Sequence, residues 1–292
     1  MRILVTRGLR GAAIAVLAGL LHASAAQAHC FVGIRFLPAT LTIDDPCVAD
    51  ELSPPTVSWA KSGDVPPTTQ LDISGEFSKR ITENLGISIG TGWTQFSTPG
   101  SLRASGFDNL ETALQYQFVR DAEHEFALSA AINVEWGGIG ASAVGSDSFS
   151  TVTPSVLFRK GLGDLPDKMG WARPLALTGQ IGYSFPTRTS TNSVDPDTGL
   201  PTSMANPQFL TYSTLQYSMP YLKSSVVDLD LPAFFNHLIP IVEAQFTTPT
   251  ANNSGTGIGT TGTINPGVIW VGSSLRIRSF GRRASSWRDQ RA

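Results

Sequence analysis

The sequence predicts an all-β fold, an antiparallel transmembrane β-barrel with about ten strands in this chain. Ten segments alternate apolar and polar residues with a period of two, which is typical of strands with two unlike faces. Most of them are about 10–13 residues long, whereas strands of soluble proteins usually have five or six. Their polar faces are rich in small uncharged residues, and the whole chain has only five lysines. A soluble surface of this size would carry more charge.

Composition excludes two other classes of protein. The chain has 292 residues, of which 41% are hydrophobic and 15% are charged. Disordered chains have few apolar residues and many charges. A multi-span helical membrane protein needs several apolar runs of about 20 residues, and this chain has one, at its start.

That run predicts a secretory signal peptide over residues 1–28. Arg2, Arg7 and Arg10 precede an apolar stretch at 12–21, and Ala26-Gln27-Ala28 fits a cleavage site. A short membrane anchor is the weaker alternative, because the apolar stretch is too short for one. We therefore expect export, with cleavage after Ala28.

The next region, 29–55, is predicted to be an irregular N-terminal region in the periplasm or inside the lumen. It holds both cysteines of the chain, Cys30 and Cys47. An exported compartment permits a disulfide between them, and two unpaired thiols are the alternative. No cluster of His or Cys supplies further ligands, so we expect no metal site.

The predicted barrel occupies 56–272. Within the segment 70–82, Leu71, Ile73 and Phe77 alternate with polar residues such as Asp72 and Glu76. The same alternation predicts the other strands. The full set is 56–60, 70–82, 85–96, 110–120, 125–136, 151–160, 175–185, 209–221, 237–247 and 264–272.

The apolar faces are expected to meet lipid, and the polar faces to line the lumen. The charged residues of the polar faces are Asp72, Glu76, Arg80, Glu111, Glu125, Glu135, Arg159 and Glu243. They predict an acidic lumen that favours cations or polyols over anions. For each single residue, a structural network that knits the wall is the alternative role.

Tryptophans stand near the predicted strand ends, as an interfacial aromatic girdle would require. They are Trp59, Trp93, Trp136, Trp171 and Trp270. Connection lengths also alternate: 82–84 and 121–124 are short, whereas 97–109 and 137–150 are long. Because outer-membrane barrels have short periplasmic turns and long external loops, the strand at 70–82 is expected to run towards the periplasm.

Two stretches resemble a known family. They are RFLPATLTIDDP at 35–46 with its continuation to Leu52, and TQLDISGEFSKRITENL at 69–85; PGVIWV at 266–271 adds to them. The chain is similar over about 30–272 to bacterial outer-membrane barrels that are filed as transporters under the label of the phenol meta-degradation pathway. The resemblance implies an outer-membrane barrel with a transport role, and it implies no catalysis and no particular site residues.

The end of the chain departs from that family. Residues 273–292 contain six arginines and no sustained alternation, whereas relatives continue with two more strands and an aromatic end. We interpret this Arg-rich tail as the product of a frameshift or truncation that removed two of about twelve strands. A genuine basic tail in the periplasm is the alternative.

The sequence predicts passive passage of small solutes through a Gram-negative outer membrane, and no enzyme. His237 and Glu243 share a face but stand about 20 Å apart along a strand, and the chain has no G-x-S-x-G motif. We expect no cofactor. The expected partners are outer-membrane lipid, an unidentified small solute and, during biogenesis, the barrel-assembly machinery.

Nucleic acid is not expected as a partner. The whole chain has a net charge of −2, and the leader and tail are basic, so residues 29–272 carry −10. Two alternatives remain for the function. One is a closed structural or surface-binding barrel without conductance, and the other is a soluble periplasmic β-sandwich.

Overall fold

The computed structural model describes residues 31–271 apart from 37, 39, 41, 42, 44, 54, 64, 101–102, 189–206 and 252–258. The predicted signal peptide, Cys30 and the Arg-rich tail lie outside the described residues. Among the described residues, no helix has the length and apolar character needed to span a membrane.

The described chain is dominated by strands. Three short ones come first: β1 (Phe31–Val32), β2 (Arg35–Phe36) and β3 (Glu51–Leu52). Eleven follow: β4 (Thr56–Lys61), β5 (Thr69–Arg80), β6 (Leu85–Ser97), β7 (Ala104–Phe107), β8 (Leu110–Asp121), β9 (Phe126–Trp136), β10 (Thr151–Gly161), β11 (Leu175–Pro186), β12 (Gln208–Tyr217), β13 (Leu238–Pro249) and β14 (Thr261–Trp270). One α-helix, α1 (Met219–Ser225), and three short 3-10 helices lie between strands.

Twelve of these strands form one antiparallel sheet in which neighbours in the chain pair with each other. The order is β14-β13-β12-β11-β10-β9-β8-β6-β5-β3, with β4 also on β5 and β7 on β6. The strands β3 and β4 occupy successive stretches of the same β5 edge. The predicted antiparallel all-β fold is therefore confirmed, and all ten predicted strands are present. In the described part of the chain, β14 at one edge of the sheet pairs only with β13. At the other edge, β3 and β4 pair only with β5.

The structure corrects several details of the sequence prediction. The strand expected over 209–221 ends at Tyr217, because the Ser218 hydroxyl accepts a hydrogen bond from the Tyr221 amide and caps α1, which has Pro220 in its first turn. The strand expected from Glu125 begins at Phe126, since Glu125 has a φ of 49° and belongs to the preceding turn. The four-residue β7 was not predicted.

One face of the sheet exposes apolar side chains along its whole width. Ile73, Ile132, Ile181 and Val242 are 37–48% exposed, although they stand on four different strands. The same face carries Phe77, Ile87, Ile89, Leu114, Tyr116, Val156, Leu177, Leu215, Phe246, Ile264 and Val268, all of them exposed. We call it the apolar face.

The other face is polar and largely buried. Ser129, Arg159, Thr214 and Glu243 are each at most 2% exposed. This polar face is covered by residues 31–50, which we call the inner segment. Residues of the inner segment contact strands from β5 to β12, so the polar face is concave around it.

The two ends of the sheet differ in their connections. Turns 81–84 and 122–125 close the short-connection end, together with 162–174 and the α1 region. The longer connections, from β4 to β5, from β9 to β10 and from β11 to β12, leave the sheet at its other end, which we call the long-connection end. The inner segment enters near the short-connection end, because Arg35 contacts Glu125 in one of its turns.

Candidate functional site

The polar face carries a row of carboxylates at one level of the sheet. The register pairs Glu76 with Gly90, Gly90 with Glu111, and Glu111 with Glu135. Paired residues of neighbouring strands point to the same face, so these three carboxylates project into the same concave space. Glu111 is exposed there, although it lies on the inner side of the sheet.

Beside this row lies a cavity of about 490 Å³ between the inner segment and strands β5, β6 and β8. Among the described residues, every charged side chain that lines it is acidic. Asp45 of the inner segment and the neighbouring Glu51 line one side, and Glu76, Asp108 and Glu111 of the sheet line the other. The cavity reaches Asp108 at the start of β8, and hence the long-connection end. Such a lining attracts cations and repels anions.

A polar network continues the acidic surface towards the long-connection end. The Thr94 hydroxyl donates to Asp72 at 2.9 Å and lies 3.1 Å from an Asp108 oxygen. The Asn109 amide donates to Glu135 at 2.9 Å. Asp147 lies in the connection 137–150 that follows β9, and burial and the nearby Glu135 carboxylate raise the pKa of Asp147.

A second row crosses β10 to β13. Arg159 pairs with Thr178, Thr178 with Thr214, and Thr214 with Glu243. The Arg159 guanidinium donates from Nη1 to Asp45 Oδ1 at 3.0 Å and is fully buried. Among the described residues, Arg159 Nε and Thr178 Oγ1 have no hydrogen-bond partner. This row therefore keeps unused hydrogen-bonding capacity on the inner side of the sheet.

The inner segment is bound largely through its backbone carbonyls. The Gln115 amide donates to the Asp45 carbonyl at 2.8 Å, the Ser129 hydroxyl donates to Pro46, and the Gln216 amide reaches Pro38 at 3.5 Å. Apolar contacts add to these bonds. Val32, Cys47 and Ala127 form a buried cluster, and Ile43 and Val48 are buried as well. Gly86 leaves room for the segment, because a Cβ there would stand 2.9 Å from Val48 Cγ1.

The segment is anchored near its start by a buried ion pair. Arg35 Nε donates to Glu125 Oε2 at 2.8 Å, and Nη1 donates to the Pro174 carbonyl at 2.9 Å. The Arg35 guanidinium also stacks 3.7 Å from the Tyr221 ring centroid. Glu125 accepts a further bond from the Gly163 amide, which fixes the carboxylate in its turn.

A second anchor joins the end of the segment to β5. Asp50 accepts from Lys79 Nζ at 2.9 Å and from the Arg80 amide at 2.8 Å. Burial alone would raise the pKa of Asp50, but these hydrogen bonds and the charges of both side chains lower it below its usual value. Asp50 is therefore ionised at neutral pH.

The predicted tryptophans stand at two levels. Trp59, Trp93 and Trp136 lie towards the long-connection end, and Trp270 and Trp171 lie towards the short-connection end. All except the half-buried Trp93 are 45–68% exposed.

Of the two predicted disulfide cysteines, Cys47 lies in the described part of the chain and is disulfide-bonded.

The eight predicted lumen-facing residues are divided among different environments. Glu76, Glu111 and Glu135 gather in the acidic row, and Arg159 and Glu243 lie in the second row. Asp72 belongs to the polar network, Arg80 lies at the end of β5, and Glu125 is a buried anchor in a turn rather than a residue lining open space.

Arg35, Asp45, Asp50 and Asp108 were not predicted from the sequence. Three of them lie in the irregular region, where no periodicity assigns a face to a residue. Arg35 and Asp45 belong to the stretch RFLPATLTIDDP, whose other residues are mostly apolar or small. Their charges in such a stretch were the sequence signal that could have identified them. The described residues contain no group of three or more His, Cys, Asp or Glu positioned to hold a metal ion.

No protein-family model matches the chain, and a search of curated proteins also finds no match. The resemblance of 35–46 and 69–85 to outer-membrane barrels therefore stands as an expectation from those residues alone.

Proposed function

We propose that the chain is an outer-membrane β-barrel through which small cationic or uncharged polar solutes pass passively. The observation that carries the proposal is the inverted arrangement of the sheet, whose apolar face is exposed and whose polar face is buried. Ile132 and Ile181 are 48% and 45% exposed, whereas Arg159 on the opposite face is fully buried. Lipid is the solvent that makes such an arrangement favourable.

The same observation argues against a soluble β-sandwich. A sandwich packs its apolar faces together and turns its polar faces to water. Here the apolar side chains of successive strands lie outside, and the concave side holds Ser129, Thr214 and Gln216. In water, the exposed apolar surface would favour aggregation.

The mechanism of passage would be diffusion through the acidic cavity. Glu76, Asp108 and Glu111 face it, and no basic residue lines it in the described part of the chain, so a cation entering from the long-connection end replaces part of its hydration with carboxylate contacts. Passage needs binding that is weak enough for release, and a water-exposed carboxylate such as that of Glu111 provides it. An anion would meet only like charge in this space.

A closed barrel without conductance is the second candidate function. It is favoured by the inner segment, which fills part of the concave face and binds β8, β9, β10 and β12. A barrel of this kind would serve as a structural or surface-binding element and would use its longer connections for contact.

Two measurements on the full chain test the proposal. First, outer membranes from cells expressing the chain with its leader are run on SDS gels with and without boiling; we expect faster migration of the unboiled protein. Second, the purified protein is inserted into planar bilayers in KCl, and we expect stepwise conductance. Folded, heat-modifiable protein that gives no conductance would support the closed barrel. Recovery of the protein in the soluble periplasmic fraction without detergent would contradict both barrels.

A further inference from the structure

We infer that the inner segment is a plug: it forms the floor of the acidic cavity, and its middle has to detach before a solute can cross. The inference rests on the proposed passage and adds its regulation. Cys47, Val48 and Ala49 line the cavity from the side of the inner segment, while Asp108 and Glu111 line it towards the long-connection end. A solute in the cavity therefore has the inner segment between it and the short-connection end.

The segment bridges the concave face from one side to the other. Asp45 is bound by Gln115 of β8 and by Arg159 of β10, and the Pro38 carbonyl is reached by Gln216 of β12. The Thr40 hydroxyl is 3.3 Å from the Thr214 hydroxyl. These bonds hold the segment against the inner side of successive strands from β8 to β12.

The bonds in the middle of the segment can be replaced by water. Among the described residues, the polar contacts of this middle part are hydrogen bonds to the Pro38, Asp45 and Pro46 carbonyls, the Thr40–Thr214 hydroxyl pair and one ion pair. Ile43 is buried beside them. Each such hydrogen bond contributes little net free energy, because water replaces it on release. The backbone pairing of the sheet does not depend on them, so the segment can open while the strands remain paired.

The two anchors define which part moves. Arg35 binds Glu125 and the Pro174 carbonyl at the short-connection end, and Asp50 binds the last residues of β5 at the same end. The middle of the loop between these anchors is held by the Asp45–Arg159 ion pair. Both anchors remain bound while the residues between them move away from the sheet.

Asp45→Asn tests the plug with little change of shape. The asparagine oxygen can still accept from the Cys47 amide, as Asp45 Oδ1 does at 2.8 Å, but the ion pair with Arg159 is lost. Loss of one charge-assisted hydrogen bond is expected to raise the open fraction in planar bilayers about tenfold. Hydrogen exchange of the backbone amides of 45–50 should accelerate in the same variant.

The matched control is Asp72→Asn. It removes one carboxylate from the same face, where Asp72 is bound by Ser58, Gln70 and Thr94. Within the described part of the inner segment, no residue binds Asp72. We expect its open fraction and its exchange in 45–50 to match the wild type. Folding of all three proteins is checked by their heat-modifiable migration.

Two results would contradict the plug, and the second of them would also contradict the passage of solutes. Conductance in Asp45→Asn equal to that of the wild type and of Asp72→Asn would reject the plug and leave the passage intact. Absence of conductance in all three folded proteins, with faster exchange in Asp45→Asn, would reject the passage and the plug together.

Discussion

A buried charge pair decides the position of the inner segment at the level of single residues. The Arg35 side chain is fully buried, and its partner Glu125 is 5% exposed and held in a left-handed turn. Two charges that are removed from water are favourable only when they remain paired with each other and keep their hydrogen bonds. The pair is therefore more important for placing the segment than for adding net stability.

Glu125→Gln tests this role. The substitution preserves the shape and the polar character of the side chain but leaves the Arg35 charge buried without its carboxylate. We expect it to lower the free energy of unfolding by about 3–5 kcal/mol, measured by guanidinium titration of the protein in lipid–detergent micelles.

The control for that prediction is Asp164→Asn at the exposed Lys160–Asp164 pair, whose atoms are 2.7 Å apart. Both side chains are about one-third exposed, so we expect a loss below about 1 kcal/mol. Similar losses in the two variants would mean that the Arg35–Glu125 pair is not decisive for the segment.

At the level of the strands, the apolar face determines which solvent the sheet requires. Ile132 lies near the middle of β9 and is 48% exposed, and its partners on the adjacent strands are Leu114 and Pro154. In water, an arginine at such an exposed position would change stability little. In the middle of a bilayer, it would expose a charge to hydrocarbon.

We therefore predict that Ile132→Arg lowers the free energy of unfolding by about 2–4 kcal/mol in lipid vesicles. The matched substitution Ile139→Arg changes the same residue type in the connection 137–150, where Ile139 is 61% exposed. Its expected effect is below about 0.5 kcal/mol. Equally small effects at both positions would indicate that the apolar face of β9 meets water.

At the level of the whole molecule, the distribution of charge determines the sign of the electrostatic field in the cavity. Three strands contribute Glu76, Glu111 and Glu135 to one row, and no basic residue of the described chain lines the cavity beside it. The buried guanidinium of Arg159 is paired with Asp45, which lines the cavity. The net field of the cavity is therefore negative.

The double variant Glu76→Gln, Glu111→Gln should lose cation preference. In planar bilayers under a KCl gradient, the reversal potential of the wild type should correspond to a K⁺ permeability above that of Cl⁻, and the variant should shift it towards equal permeability. The control Glu83→Gln, Glu123→Gln removes two carboxylates from exposed turns at the short-connection end. A reversal potential that moves equally in both variants would assign the selectivity to overall charge instead of the cavity.

The sequence by itself determined the strands and their two faces. Alternation is a local property, since successive residues of an extended chain point to opposite sides, and the positions of Ile73 and Glu76 on opposite faces follow from it directly. The prediction was wrong at α1: Ser218 and Pro220 mark a helix start, but the alternation over 209–221 led to a strand being predicted there. The four-residue β7 is too short for its period to be recognised.

The tertiary structure alone decided what fills the concave side. The contacts of Arg35 with Glu125 and of Asp45 with Gln115 and Arg159 join residues 70 to 114 positions apart. No local period reports such pairs, because they depend on how far the sheet curves and on where the irregular segment enters it. The acidic row has the same origin: Glu76, Glu111 and Glu135 become neighbours only through the strand register, which is fixed by backbone pairing across the sheet.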